Sequence, residues 1–462
     1  MSGSGKNLPS SLPQRFLAYL SREGVSEDLL NLAGEVLESI EDIWREIDKV
    51  ALVNSARVIQ AFREEKVSQA HLNPSTGYAY SDPGRDALER VYARVFGGQA
   101  ACVSSHWVSG THVLATALRG LLAPGDELLS LTGDVYETLK PVIGIGDNAG
   151  NSPSRNCPRR GRGPTLKDIG VGFRQVDLVS QWTPGGEGQP FPDFLRKAVS
   201  DLVKANTKVV LIQRSRGYSL RRPCSVQTIG EMAQAVHLAN PQIVVLVDNC
   251  YGEFTEIAEP SMVDADLVVG SLIKNPGGGL SPIGGYAVGR EDLIRAVKEA
   301  LYAPGIGTGV GANPVGYRPF FQGLFVAPHV VAEALKGSVF ASSLFERLGY
   351  RVSPAPAEMR SDIVQCIVLG TPDRVKTFAR AIQSYSPVDS HAIPEPWGMP
   401  GYDSDVIMAA GTFVDGSSIE LSCDAPFEPP YAVYLQGGLF KEHVITATLV
   451  AASMVGPASK LT

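Results

Sequence analysis

The sequence has no strong excess of either charge. Its 41 Lys and Arg residues are spread along the chain against 48 Asp and Glu, for a net charge of −7. A nucleic-acid backbone needs a basic face, and none is offered here. Nor does any apolar run approach the ~18 residues that would suggest a membrane span. The opening MSGSGKNLPSSLPQ lacks the apolar core of a secretion signal. These absences point to a cytoplasmic protein with neither nucleic acid nor membrane as partner. Cysteine is also scarce. The six residues Cys102, Cys157, Cys224, Cys250, Cys366 and Cys423 form no C-x-x-C pair and mostly sit in apolar runs, so they are expected to be reduced and buried. The seven histidines show no metal-ligand spacing, and no metal is expected.

What is present is enough material for a large core. With 462 residues and 44% hydrophobic content, the chain exceeds one minimal domain. Residues 11–65 carry helical spacing at Leu17, Leu20, Ile43, Ile47, Val50, Val53, Val58, Ile59 and Phe62. A polar, Gly- and Tyr-rich segment, HLNPSTGYAYSDPGRDALE, follows. Beyond it, short apolar runs alternate with helical stretches: Ala100–Val103, Glu127–Leu131, Val209–Ile212, Ile243–Val247 and Leu267–Val269 read as strands, Pro192–Val203 and Val226–Val236 as helices. Apolar strands separated by helices predict a mostly parallel sheet covered on both faces. A long helix over Phe320–Leu348 and a helix over Thr371–Ser384 then accompany strand-like runs at Ile363–Val368, Val406–Ala410 and Ile419–Ser422. The fold class is therefore α/β: an N-terminal helical arm (1–68), a large domain (69–315) and a smaller C-terminal α+β domain (316–462). The stretch Gly146–Gly163, rich in Gly, Pro, Ser and Arg, reads as a surface loop.

The chemistry concentrates in DLVVGSLIKNPGGGLSPIGGYAVG. A strand leads into Ser271 and then Lys274, and three glycines let the backbone turn closely around something bulky. Burial at a strand end should lower the pKa of Lys274 and favour the neutral amine that imine formation needs. An exposed lysine in a Gly-rich loop is the plain alternative. Asp248 ends the strand IVVLVD, where a carboxylate points into the ligand crevice of a parallel sheet, although Asp-Asn after a strand is also a common turn. Ser109, Gly110 and Thr111 open a helix whose free amides favour an anion. A simple helix cap would look the same. Tyr136, just beyond a strand, could stack on a flat ring or merely pack. The order decides: an acidic strand end, one more strand, then Ser-x-x-Lys-x-x-Gly-Gly. Ser271-x-x-Lys274 lacks the S-D-N and K-T-G partners of penicillin-recognising enzymes, and GIGTGVG follows no strand as a dinucleotide fingerprint must.

The segments STGYAYSDPGRDALE, VSGTHVLATALRGLLAPGDELL, IQRSRGYS, DNCYGEF, SLIKNPGGG, APGIGTGVGA, QGLFVAPHVVAEALKG, SPVDSHAIPEPWGMPGY, VIMAAGTF and SIELSCDAP resemble the methionine γ-lyase-like, or aluminium-resistance, family of Cys/Met-metabolism enzymes dependent on pyridoxal 5′-phosphate. They run from about residue 70 to residue 440. The resemblance implies fold type I of the aspartate-aminotransferase kind. It makes Lys274 the Schiff-base lysine, Asp248 the pyridinium partner and Tyr136 the ring-stacking tyrosine and general acid. Ser109, Gly110, Thr111 and Ser271 would hold the phosphate. Tyr78, Tyr80 and Arg85 resemble the residues that γ-lyases extend into a neighbouring subunit's phosphate site, which implies a homodimer or homotetramer with shared active sites. Where γ-lyases bind the substrate carboxylate with an arginine, Glu420 stands here. Arg216 and Arg360 lead the replacements, with Arg214 and Arg318 behind them. His106-Trp107 and Glu428 also depart from the family pattern. The activity so implied is γ-elimination from an L-amino acid with a thioether or halide at Cγ. A γ-halo unsaturated amino acid would give an alkyne-bearing one. Another reaction of the same cofactor (β-elimination, aldol cleavage or γ-replacement) and a non-catalytic stress-resistance role stand as alternatives.

Overall fold

A computed structural model describes residues 12–146, 163–182, 190–307, 309–399, 402 and 404–458. Cys157 and nearly all of the Gly146–Gly163 stretch therefore lie outside the described residues. Seven strands form the larger sheet: β1 (Ala100–Ser104), β2 (Glu127–Ser130), β3 (Gly172–Gln175), β4 (Thr207–Gln213), β5 (Val244–Asp248), β6 (Leu267–Ser271) and β7 (Gly285–Gly289), in the order β1-β7-β6-β5-β4-β2-β3. Neighbouring strands run parallel except at β7, which is antiparallel to both β1 and β6. Helices cover both faces, so β5 and β6 are buried along their whole length. All five strands expected in this region are present. The sequence reading missed β3, a short and partly exposed run with a single apolar side chain, Phe173, and β7, a glycine-flanked strand inside the lysine segment.

Five more strands make a second, antiparallel sheet: β8 (Arg351–Ser353), β9 (Val364–Val368), β10 (Val406–Ala409), β11 (Ser422–Pro426) and β12 (Ala432–Gln436), in the order β10-β11-β12-β9-β8. The strand expected over Ile419–Ser422 is displaced: it begins only at Ser422 and runs on to Pro426. Ile419 and Leu421 are apolar because they anchor a turn in the core, and the Glu420 carboxylate between them caps that turn by accepting the Phe413 and Val414 N–H groups at 2.8 and 3.0 Å.

The long helix spans Arg318–Arg347. By length and composition it could cross a membrane, yet 83% of its apolar window is buried inside the protein. It joins the two cores: its first half packs with the larger sheet and its second half with the smaller. The N-terminal segment forms three helices, Gln14–Arg22, Glu27–Ser39 and Glu41–Glu64. Leu17, Leu20, Leu30 and Val36 of the first two sit in the same apolar cluster as Val339, Phe345, Phe378 and Leu435. These two helices are thus built into the core around the smaller sheet.

Candidate active site

Five connections at the carboxyl ends of the larger sheet's strands converge on one cavity of about 290 Å³, closed on its far side by the smaller sheet. That location is where open α/β sheets place their ligands. Lys274, Asp248, Ser271, Ser109, Gly110, Thr111 and Tyr136 all line it. The sequence reading named these seven, and the fold brings them together from segments up to 165 residues apart.

Lys274 stands three residues beyond β6, and the glycines after it are there for space. A Cβ on Gly277 would lie 1.7 Å from the Leu272 carbonyl oxygen, and Gly278 takes the left-handed region at φ +54°. The Lys274 Nζ is buried 4.0 Å from the Tyr251 ring centroid and 6.0 Å from that of Tyr136. The expected lowering of its pKa is reversed. Burial is the largest influence and does act downward, but Cys250, Tyr251, Asp248 and Glu253 surround the amine and together raise it. Asp248 closes β5, and its Oδ1 accepts the Cys250 N–H at 3.2 Å. Burial raises its pKa, opposed by Lys274, so this carboxylate calls for a cationic partner in the cavity.

On the opposite wall Ser109 caps the helix Gly110–Leu121, its Oγ accepting the His112 N–H at 3.1 Å. A Cβ on Gly110 would already touch Cys250 Sγ at 3.4 Å and Ser271 Cβ at 3.6 Å, so the helix amides stay open to the cavity. The Thr111 and Thr138 hydroxyls are hydrogen-bonded to each other. The Ser271 Oγ is buried without any protein partner. Tyr136 is positioned through its N–H, which donates to Gln213 Oε1 at 2.7 Å, and its hydroxyl pairs with that of Tyr402 at 2.9 Å. These features fit pyridoxal phosphate. An orphan hydroxyl and a helix N-terminus meet an anion, a buried carboxylate meets a pyridinium, and an enclosed lysine lies between two aromatic rings.

None of the four candidate arginines lines this cavity. Arg214 is fully buried and committed to Asn249 (2.8 Å), Thr255 (3.2 Å) and Glu256 (2.8 Å). Arg318 is exposed at the start of the long helix. Arg360 is buried near Arg216, and this proximity adds to burial in lowering its pKa to about 9. Arg216 lies in an adjoining cavity that shares Tyr136, Gln213, Gly217 and Tyr402 with the first. Its Nη1 is held by Ser353, while its Nη2 has no partner. Tyr78 and Tyr80 are 70% and 69% exposed, stacked on each other at 5.3 Å, and absent from the lining of their own chain's cavity. Arg85 is buried against the Ala79 carbonyl and Asp86.

The departures from the family pattern have local roles. Trp107 is fully buried and donates to Thr116 Oγ1 at 3.1 Å, while His106 faces Tyr302 at 3.1 Å. Glu428 lines the adjoining cavity with Arg216. Sequence reasoning passed over Tyr251, Tyr218, Tyr402, Asp424 and Gln436, all of which stand in or against the site. Asp424 lies within the motif SIELSCDAP, four residues beyond the glutamate that drew attention. Only strand register shows that Asp424 is the one facing the cavity.

The chain matches the family described as methionine gamma-lyase over residues 29–455. The protein YnbB of Bacillus subtilis (strain 168) is 44% identical over 423 residues, 91% of this chain and 95% of its own. A crystal structure from Clostridium acetobutylicum, of a protein involved in aluminium resistance and provisionally assigned as a cystathionine beta-lyase, superposes with a TM-score of 0.87 at 37% identity, covering 96% of this chain and 100% of its own. A carbon–sulfur lyase involved in aluminium resistance from Clostridium novyi NT does so with a TM-score of 0.86 at 40% identity, again over 96% and 100%. The chain therefore belongs to the methionine gamma-lyase family, fold type I carbon–sulfur lyases whose cofactor, and this protein's, is pyridoxal 5′-phosphate.

Proposed function

We propose that the protein catalyses γ-elimination on an L-amino acid carrying its leaving group at Cγ. The observation that carries this reading is one cavity holding Lys274, Asp248 and the Ser109–Thr111 helix start beside a wall of Ile273, Met399, Met408 and Ala410. Such a wall suits an uncharged side chain, as in a methionine- or cystathionine-like thioether or a γ-halo unsaturated amino acid. When bound, the cofactor draws electron density from the substrate's Cα through its protonated ring.

The chain's own residues then have separable tasks. Asp248 keeps a proton on the ring nitrogen. The Gly110 and Thr111 amides, with Ser109 and Ser271, fix the phosphate. Tyr136 covers the ring face. Lys274, as a free amine, would take the proton from Cα and shuttle the next one, and Tyr136 would donate to the departing γ-substituent. The products are a thiol or halide with a 2-oxo acid and ammonia, or an alkyne-bearing amino acid from the unsaturated halide. Arg216 is our candidate for the substrate carboxylate, reached through the walls the two cavities share.

We further propose a homodimer, or a tetramer of such dimers, in which the exposed Tyr78 and Tyr80, with Arg85 behind them, complete the neighbouring subunit's phosphate site, and a cytoplasmic location that keeps the cysteines reduced. β-Elimination is the second reading, favoured by the assignment of the Clostridium acetobutylicum neighbour.

Visible absorption of the purified protein and of Lys274→Ala, alone and with a panel of amino acids, tests the scheme. Wild type should carry a cofactor band that the variant alters. The 2-oxo acid released from cystathionine then separates the readings: four carbons support γ-elimination and three carbons support β-elimination. A protein that stays colourless when pyridoxal phosphate is supplied defeats both.

A further inference from the structure

Behind Tyr136 a row of polar groups runs from the cavity wall across to the smaller sheet. The Tyr136 and Tyr402 hydroxyls are 2.9 Å apart, and Tyr402 also shares a side-chain hydrogen bond with Tyr218. The Tyr218 hydroxyl donates to Asp424 Oδ2 at 3.3 Å, and Gln436 Nε2 donates to the same oxygen at 2.7 Å. The three rings lie 6.0–6.4 Å from one another, so only their polar ends meet. Asp424 itself opens on the cavity that contains Lys274. A stable packing arrangement needs no carboxylate at the end of three tyrosines, and a charged group in such a setting costs free energy.

We propose that Tyr136, Tyr402, Tyr218 and Asp424 form a proton relay, with Asp424 as the reservoir that accepts the proton of the incoming substrate ammonium and returns it to the leaving group. The inference rests on the elimination reading above. With Asp424 ionised, every hydroxyl in the row donates toward it, and the Tyr136 oxygen presents a lone pair to the cavity. When the substrate arrives, its N–H bond breaks and the electron pair stays on nitrogen. Tyr136 takes that proton as its own passes to Tyr402, Tyr402's to Tyr218, and Tyr218's to Asp424. The neutral amine so produced is the nucleophile that the reaction needs.

The row is then reversed. As the carbon–sulfur bond breaks, sulfur keeps the bonding pair and takes a proton from Tyr136, which is refilled along the same row from Asp424. One proton has moved from nitrogen to sulfur, and nothing has been oxidised or reduced. Tyr136 touches the substrate, while Tyr402, Tyr218 and Asp424 act through it.

The electrostatics agree with this use. Burial raises the Asp424 carboxyl to about 6, against Gln436, Tyr218 and Lys274, so it can hold or release a proton near neutrality. Tyr136 and Tyr218 are held well above the usual phenol range, chiefly by burial, and so pass protons without keeping a charge. The other titratable groups facing Asp424 are Tyr251, Tyr402 and, on its own strand, Cys423, each also raised by burial. Lys274 is the one cation among these described neighbours.

The test uses the holoenzyme and two kinds of readout. On mixing with L-alanine, which binds without a leaving group, wild type at pH 7 should release almost no proton to a dilute buffer containing an indicator. Asp424→Asn should release a proton per site, and Asp424→Glu should restore retention. With a thioether substrate, Asp424→Asn and Tyr218→Phe should lower kcat about tenfold or more. With a halide, which leaves without a proton, the relay serves only the ammonium step, so the loss of kcat should be several-fold smaller than with the thioether. Equal proton release from wild type and Asp424→Asn overturns the relay, as does an equal loss of kcat for both leaving groups. A wild type that retains the alanine proton but releases neither thiol nor halide supports the reservoir and sinks the elimination reading instead.

Discussion

Gly277→Ala is a sharp test of how the lysine loop is held. The new Cβ would sit 1.7 Å from the Leu272 carbonyl oxygen and 2.9 Å from Ser281 Cβ. Non-bonded heavy atoms settle at about 3.5–4.0 Å, so the loop must retreat by roughly 2 Å, and the first obstacle is backbone that cannot rotate away. Leu272 and Gly277 bracket Lys274, so the retreat displaces the amine to which we assign the reaction. A misplacement of about 1 Å typically costs about 100-fold in rate, and overpacking of this kind about 1–3 kcal/mol in stability. Gly172→Ala is the control, since its nearest neighbour is 3.8 Å away in ordinary contact. Both variants should be assayed for kcat/KM and for thermal unfolding with cofactor supplied. A Gly277→Ala protein with wild-type kcat/KM would refute the argument that these glycines set the position of Lys274.

Ser271→Ala should leave the apoprotein as stable as wild type, because the hydroxyl it removes makes no protein hydrogen bond. It should weaken pyridoxal phosphate by about tenfold in an equilibrium titration, the cost of one hydrogen bond to a charged group. Glu253 is buried, accepts the Tyr286 hydroxyl at 2.9 Å, and is pushed up to about 8 by that burial. Between an unfolded value of about 4.3 and this folded value, the native state binds the extra proton, so wild-type stability should fall as pH rises through that window. In Glu253→Gln this decline should be absent, and urea unfolding at pH 5 and pH 8 would show whether the variant gains on wild type as pH rises.

The parts of the molecule readable from sequence are those whose signals are local. β5 and β6 announce themselves as Val/Leu runs because they are buried on both faces, and Asp248, Ser271 and Lys274 follow at fixed distances from their ends. Ser109 and Gly110 are legible as a helix start. The far wall was not. Asp424 and Gln436 face the cavity only because β11 pairs with β12 in a particular register, and a strand start placed three residues early turns attention to Glu420, a turn cap. Tyr402 and Tyr218 come from loops whose spacing carries no period, so only tertiary structure could bring them to Tyr136. Arg214 shows the opposite error: its sequence context promised an anion site, and the fold instead spends its charge on Glu256.

The first two helices tie one end of the chain to the other. Ser453 donates to the Gly24 carbonyl at 2.9 Å, Tyr385 to Glu23 at 2.7 Å, and Arg347 to Glu35 at 3.3 Å. During synthesis, residues 14–39 therefore emerge with apolar faces whose partners are translated more than 300 residues later. The long helix Arg318–Arg347 is the first of those partners to be made, and until it arrives the faces have only one another, solvent or another nascent chain to meet. The smaller core can be completed only once the helix Lys441–Val455 is made, and a ribosome that stalls before β11 would leave the wall bearing Asp424 unmade and Lys274 facing open water.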